Sequence, residues 1–231
     1  MTTISSRQLE EHLGVTFEDR ALLDEALTHR SYLNEHPEWK GKHNERLEFL
    51  GDAVLELVVT EHLFREFPDQ PEGRLTNLRA ALVRTETLAS VGESLALYTL
   101  LKLSRGEARE KGRAREQILA NAVEALIGAI YLDQRFAVAE RVVQQHVLTR
   151  LPDVIAEDAV RDAKSRFQEE AQGRIGITPH YKVLEEWGPD HQRKFRVGAF
   201  LSDDLAGEGE GDSKQDAQQA AALDAIQKKD W

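Results

Sequence analysis

The stretch Asn44-Glu45-Arg46-Leu47-Glu48-Phe49-Leu50-Gly51-Asp52-Ala53-Val54-Leu55 decides how this chain is read. On a helix advancing about 100° per residue, Glu45, Glu48 and Asp52 fall within a sector of roughly 60°. Leu47, Leu50, Val54, Leu57 and Val58 lie on the other side. The segment predicts a helix with one face in the core and three carboxylates stacked on the other. Like charges at i+3 and i+4 repel by a few tenths of a kcal/mol each. A divalent cation would offset that, and hard oxygen ligands suit Mg²⁺ or Mn²⁺. Taken alone, three such acids also fit a solvated helix face.

A second segment shifts the balance. In Ile118-Leu119-Ala120-Asn121-Ala122-Val123-Glu124, Asn121 and Glu124 sit at i and i+3. Both lie away from the apolar stripe Leu119, Val123, Leu126 and Ile130. Two helices, each offering oxygen ligands opposite a buried stripe, could build one shared site. A di-iron helix bundle would need Glu-x-x-His pairs, and the chain has none. His29 and His62 have no ligand partner at useful spacing and read as structural.

Outward from these helices, residues 1–150 read as helix after helix, with breaks near 37–41, 68–73 and 104–112. A polar stretch, 151–160, reads as a linker. A short helix then ends at Gly173, and two strand-like runs follow at 181–187 and 194–201, joined through Gly188-Pro189-Asp190. A third strand near 205–209 precedes an Ala-rich helix over 213–229. The order α-β-β-β-α in about 70 residues is a small α+β domain. The run from Gly207 to Lys214 lacks the Gly-Lys-[Ser/Thr] of a phosphate loop and reads as shaping the turn into the last helix.

The 231 residues suit one or two domains with a proper core. Cysteine is absent, which excludes disulfide scaffolds, thiolate metal sites and cysteine nucleophiles. No apolar run approaches a membrane span and the first residues lack the order of a signal peptide, so a cytoplasmic protein without membrane contact is expected. The net charge of −11 by itself argues against a nucleic-acid partner.

Local motifs overturn that last inference. Residues 44–55 resemble the signature of bacterial ribonuclease III. Ala26-Leu-Thr-His-Arg-Ser-Tyr32 and Glu124-Ala-Leu-Ile-Gly-Ala-Ile-Tyr-Leu-Asp133 are similar to further blocks of that family. The α-β-β-β-α unit resembles its double-stranded RNA-binding domain. The resemblance implies an all-α endonuclease domain over 1–150, a linker over 151–160 and an α+β double-stranded RNA-binding domain over 161–231.

It also implies roles. Glu48, Asp52, Asn121 and Glu124 would hold Mg²⁺, with Mn²⁺ able to substitute, and Asp52 and Glu124 would be the catalytic pair. Glu45 and Glu72 match two auxiliary acids, and Phe49 matches an aromatic at a homodimer interface. The implied activity is hydrolysis of double-stranded RNA to 5′-phosphate and 3′-hydroxyl ends with a short 3′ overhang, in ribosomal and messenger RNA processing. Asn121 departs from the family's usual Asp; an amide oxygen can ligate Mg²⁺ but brings no charge, so a weaker metal site is expected.

In the second domain Ser165, Gln168, Glu169 and Gln172 would face one minor groove and His191 the next. Lys214 would meet phosphates at a helix N-terminus. Relatives commonly carry two lysines after the serine; Ser213-Lys214-Gln215 offers one. Residues 159–231 hold 11 Lys and Arg against 14 Asp and Glu, so any basic surface must be local, as in Arg193-Lys194-Phe195-Arg196. The competing reading is a double-stranded RNA-binding protein that does not cleave. Retention of Glu45, Glu48, Asp52, Glu72 and Glu124 favours the enzyme, and Asn121 alone favours the binder.

Overall fold

The computed structural model describes residues 4–161, 163–189 and 193–231. Ten helices come first among them. These are α1 (Ser6–Leu13), α2 (Arg20–Ala26), α3 (Arg30–Glu35), α4 (Glu45–Glu66) and α5 (Glu72–Val83), then α6 (Thr85–Ser94), α7 (Arg113–Gln134), α8 (Phe136–His146), α9 (Leu151–Arg161) and α10 (Ala163–Ile175). Strands β1 (His180–Trp187), β2 (Lys194–Leu201) and β3 (Asp204–Gly211) follow, and α11 (Lys214–Lys229) closes the chain. Two compact units result, Met1–Val154 and Ile155–Trp231.

In the first unit α7 is the central element. Its face from Leu119 through Val123 and Leu126 to Ile130 is buried, as the apolar spacing predicts. α4 packs against it with Leu47, Leu55, Val59 and Leu63. Two glycines let the helices cross at backbone contact. A Cβ on Gly51 would lie 1.7 Å from the carbonyl oxygen of Glu124, and one on Gly128 would lie 2.2 Å from that of Leu47. Glycine inside a helix costs about 1 kcal/mol relative to alanine; here it is what close approach requires. Asn44, also buried, ties the start of α4 inward: its backbone N–H donates to Thr28 at 2.9 Å and its side chain to the Ala26 carbonyl.

Two expectations change. Leu57 is 55% exposed rather than core. The apolar sector of α4 is wider than the stripe α7 covers, and Phe49 (81% exposed) and Phe64 (71%) share its uncovered edge. The stretch 151–160 is helical, not an open linker. Pro152 stands at the second position of α9, where its missing N–H costs nothing, and Leu151 and Val154 bury the first turn.

The second unit is an antiparallel sheet in the order β1-β2-β3 with α10 and α11 on one face. Phe167, Val197, Ala199 and Leu201 form its centre, and Trp231 tilts against Phe167 at 5.8 Å. The third strand expected near 205–209 is β3, which runs on to Gly211 through much of the run read as shaping the turn into the last helix. Its Gly207, Gly209 and Gly211 alternate on the inner face, and a Cβ on each would sit 2.4, 2.2 and 2.5 Å from the backbone nitrogens of Ala225, Ala221 and Ala217. Period two in the strand meets period four in the helix, so glycine and alanine mesh backbone on backbone. α10 also passes through Gly173 to Ile175. Gly176, with φ +69°, takes the left-handed conformation after it.

Candidate active site and nucleic-acid interface

The crossing of α4 over α7 builds the acidic site. Gly51 precedes Asp52, and its contact is with the backbone of Glu124 itself, so the tightest point of the crossing carries both acids. Glu48 stands one turn before Asp52 on α4, and Asn121 one turn before Glu124 on α7. Asn121, on α7, acts on Glu48 of α4 by opposing the rise of its pKa. Asn121 Oδ1 in turn accepts from Gln117 Nε2 at 2.6 Å.

The carboxylates disturb one another. Burial, then the charges of Asp52 and Glu48, push Glu124 up to about 8 from an ordinary 4.5. Burial and the charges of Glu45 and Asp52 also raise Glu48, while the Asn121 amide opposes that rise. This is the pattern of negative groups held close with too little positive charge among them. An all-oxygen donor set of this kind fits a hard divalent cation. Among the described residues no three His, Cys, Asp or Glu side chains already converge as a metal-ligating group. The acids form a cluster whose side chains would have to turn inward to close on an ion.

The auxiliary acids lie differently. Glu45 faces Arg30 at 3.6 Å and His43 at 3.7 Å, and its charge still reaches Glu48. Glu72 opens α5, exposed, and accepts from Thr76 Oγ1 at 2.8 Å within its own helix. It is not among the charges acting on Glu48 or Glu124. His29 is structural, as expected: it caps α3, its ring accepting from the Ser31 N–H.

On the second unit Ser165, Gln168, Glu169 and Gln172 are all exposed on α10, opposite the buried Ala163, Phe167 and Ala171. Gln172 accepts from Thr178 Oγ1 at 2.9 Å. Lys214 is the exposed first residue of α11, its Nζ 5.5 Å from the centre of the Phe195 ring. Ser213 caps that helix, accepting from the Asp216 N–H. His191 lies outside the described residues. The basic run 193–196 is not an open patch: Arg193 pairs with Glu186, Lys194 with Asp212, and Arg196 with both Glu185 and Glu210. Adjacent strands place an acid beside each cation, which spacing along one strand does not reveal.

Sequence reasoning passed over three residues of the site. Gly51 and Gly128 were signalled as glycines inside apolar helical patterns, which mark close backbone approach. Gln117 was signalled only by standing four residues before Asn121.

Comparison with known proteins agrees with this architecture. Residues 19–151 match the family Ribonuclease-III-like, and residues 163–229 match the double-stranded RNA binding motif. A Ribonuclease 3 of Geobacter sulfurreducens is 44% identical over 224 residues, 97% of this chain and 90% of that protein. One from Oceanobacillus iheyensis is 44% identical over 220 residues, 95% and 96% of the two chains. Among solved structures, the nuclease domain of ribonuclease III from Campylobacter jejuni superposes with a TM-score of 0.58 at 41% identity, covering 64% of this chain and 99% of its own. With a helical nuclease domain and a double-stranded RNA-binding domain in that order, the chain belongs to the ribonuclease III family.

Proposed function

We propose that this chain is a divalent-metal-dependent endoribonuclease that hydrolyses double-stranded RNA. The observation that carries the reading is the cluster of Glu48, Asp52 and Glu124 at the backbone contact of Gly51 with Glu124. A binding surface gains nothing from mutually repelling acids, two of them half-buried, whereas a metal site requires such a cluster. Glu48, Asp52 and Glu124 would hold Mg²⁺, or Mn²⁺ in its place, with Asn121 beside them and Glu45 and Glu72 as outlying acids. The bound metal would supply an activated water and neutralise charge on the phosphate being cleaved. Asp52 and Glu124 orient the site, and the low-dielectric helix crossing strengthens their pull on the cation. Duplex RNA is held separately, by the exposed face of α10 with Ser165, Gln168, Glu169 and Gln172, by His191, and by Lys214 at the start of α11.

The products are 5′-phosphate and 3′-hydroxyl ends with a short 3′ overhang, which requires two sites acting on opposite strands. The uncovered stripe of Phe49, Leu57 and Phe64 on α4 supports a homodimer that would supply the second site. The similar nuclease domain from Campylobacter jejuni has a region involved in dimer formation. No helix among the described residues is long and apolar enough to cross a membrane. A cytoplasmic role in processing ribosomal and messenger RNA precursors fits.

A second reading, a double-stranded RNA binder that does not cleave, is favoured only by Asn121, which removes one negative charge from the site. Cleavage of a labelled RNA duplex across Mg²⁺ and Mn²⁺ titrations, with Glu124→Ala as control, separates the two. Cutting that is lost in the control supports the nuclease; tight duplex binding without cutting at any metal concentration supports the binder.

A further inference from the structure

The segment between α3 and α4 carries an aromatic group that packing alone does not account for. Helical spacing lays His36 on Tyr32, with ring centroids 3.9 Å apart and planes 23° from parallel. Trp39 meets Tyr32 nearly at right angles, 5.8 Å away. Trp39 already holds the segment in place: Lys102 Nζ stands 4.1 Å from its ring centre, and a Cβ on Gly41 would fall 2.7 Å from its Nε1. His36 is the outer layer of the stack. Its side chain is 36% exposed, and among the described residues no ring covers its second face.

The charges around this stack differ from those on the sheet of the second unit. Lys40 and Lys42 are exposed, and neither pairs with an acid among the described residues. Lys194 and Arg196, by contrast, are both paired. The Ser104 N–H donates to Ser31 Oγ at 3.0 Å, and the Arg105 N–H to the Glu35 carboxylate at 3.2 Å. These bonds tie α3 to residues 102–113, which hold five Lys and Arg against two Glu. The segment ends at Asn44, the N-cap of α4, so the stack is joined to the end of α4 that carries Glu45 and Glu48.

A half-open stack beside unpaired lysines suits single-stranded nucleic acid, since every base has a π-face and histidine and tyrosine offer one in return. A paired base cannot use it, because its neighbours in the duplex cover both faces. We propose that the His36–Tyr32 stack receives an unpaired base of the RNA that flanks the duplex, with Lys40 and Lys42 on the adjoining phosphates. The proposal rests on the reading of the chain as a nuclease for double-stranded RNA and specifies the substrate it favours, a duplex with an unpaired flank.

The test titrates the whole chain, in EDTA so that nothing is cut, with an RNA hairpin bearing a short unpaired flank and with the same hairpin trimmed blunt. Anisotropy reads affinity, and 2-aminopurine in the flank reads stacking through its quenching. Stacking of one base contributes about 5- to 100-fold in affinity, so the flanked hairpin should bind tighter by a factor in that range. His36→Ala should remove both the gain and the quenching while leaving the blunt hairpin bound as before; His36→Phe should keep them. Lys40→Gln with Lys42→Gln should lower the salt slope for the flanked hairpin by about 1.4. Equal affinity for the two hairpins, or a gain that survives His36→Ala, would overturn the proposal. A chain that binds neither hairpin, and cuts neither when Mg²⁺ or Mn²⁺ is restored, would defeat the nuclease reading and the stacking role with it. A blunt hairpin bound and cut normally, with no gain from the flank, would sink the stacking role alone.

Discussion

Replacing Gly51 with alanine tests whether the helix crossing is what assembles the site. The added Cβ would fall 1.7 Å from the Glu124 carbonyl oxygen. A comfortable C···O separation is about 3.3 Å, so the backbones must part by roughly 1.6 Å. A carbonyl within a helix cannot rotate aside as a flexible side chain would. Forcing atoms into a packed core costs about 1–3 kcal/mol, and backbone against backbone belongs at the upper end. Alanine regains about 1 kcal/mol of helix propensity, leaving a net loss of about 2 kcal/mol. With a urea dependence near 2 kcal/mol per molar, the midpoint falls by about 1 M. Trp39 is the one tryptophan of the first unit, so its fluorescence in a Trp187→Phe, Trp231→Phe background follows that unit alone. Gly73→Ala is the control: nothing lies within 4 Å of its Cβ position, and a gain of about 0.5 kcal/mol is expected there. Parting the helices also moves Asp52 from Glu124, so Mn²⁺ affinity should fall with stability. A Gly51→Ala protein as stable as its parent, or one binding Mn²⁺ as tightly, would refute the reasoning.

Other perturbations separate the remaining parts. Because Glu124 is pushed up to about 8, the folded state holds its proton more tightly than the unfolded chain does. Its contribution to metal-free stability is full below about 4.5 and is lost as pH rises through about 8. The melting temperature of metal-free protein should therefore drop between about pH 5 and 8, and Glu124→Gln or added Mg²⁺ should flatten that drop. Lys214→Ala should weaken duplex binding and reduce the salt slope by about one ion. Arg196→Gln, removing a cation already paired with Glu185 and Glu210, should leave duplex affinity within about twofold and stability within about 1 kcal/mol, as gel-shift titrations and melting would record. Phe49→Ser and Phe64→Ser should each weaken self-association by about 30-fold or more, the scale of an interface anchor. Sedimentation that shows unchanged dimer would remove the α4 stripe from the interface.

What the sequence could reveal depended on whether the information was periodic. The α7 stripe and the alternation of Phe195, Val197, Ala199 and Leu201 were legible because helix and strand repeat differently. The stacking of Glu48 with Asp52 was legible for the same reason. Partners across elements were not. Nothing local distinguishes Leu57, which α7 fails to cover, from Val58, which is buried. Nothing along β2 shows that Arg196 meets Glu185 on one side and Glu210 on the other. A strand near 205–209 was legible, but its extension to Gly211 was not, because it is fixed by pairing with β2 and by the close-packed Ala217, Ala221 and Ala225.

The same pairings explain how a chain of net charge −11 can present a face to RNA. Glu185, Glu208 and Glu210 project from the side of the sheet away from α10 and α11, by their register with Arg196 and Gly198. With Glu186, Asp203, Asp204 and Asp212 they place seven acids on and beside the strands, against the four cations Lys182, Arg193, Lys194 and Arg196. That local excess of three negative charges equals the −3 carried by residues 159–231. The exposed α10 face is left with neutral Ser165, Gln168 and Gln172 and one acid, Glu169. Lys214 and the N-terminus of α11 supply the positive end. Beyond about a Debye length, near 8 Å at physiological salt, acids across the sheet are largely screened from a phosphate approaching the helices. Net charge therefore misjudges the partner because it sums faces that the RNA never sees together.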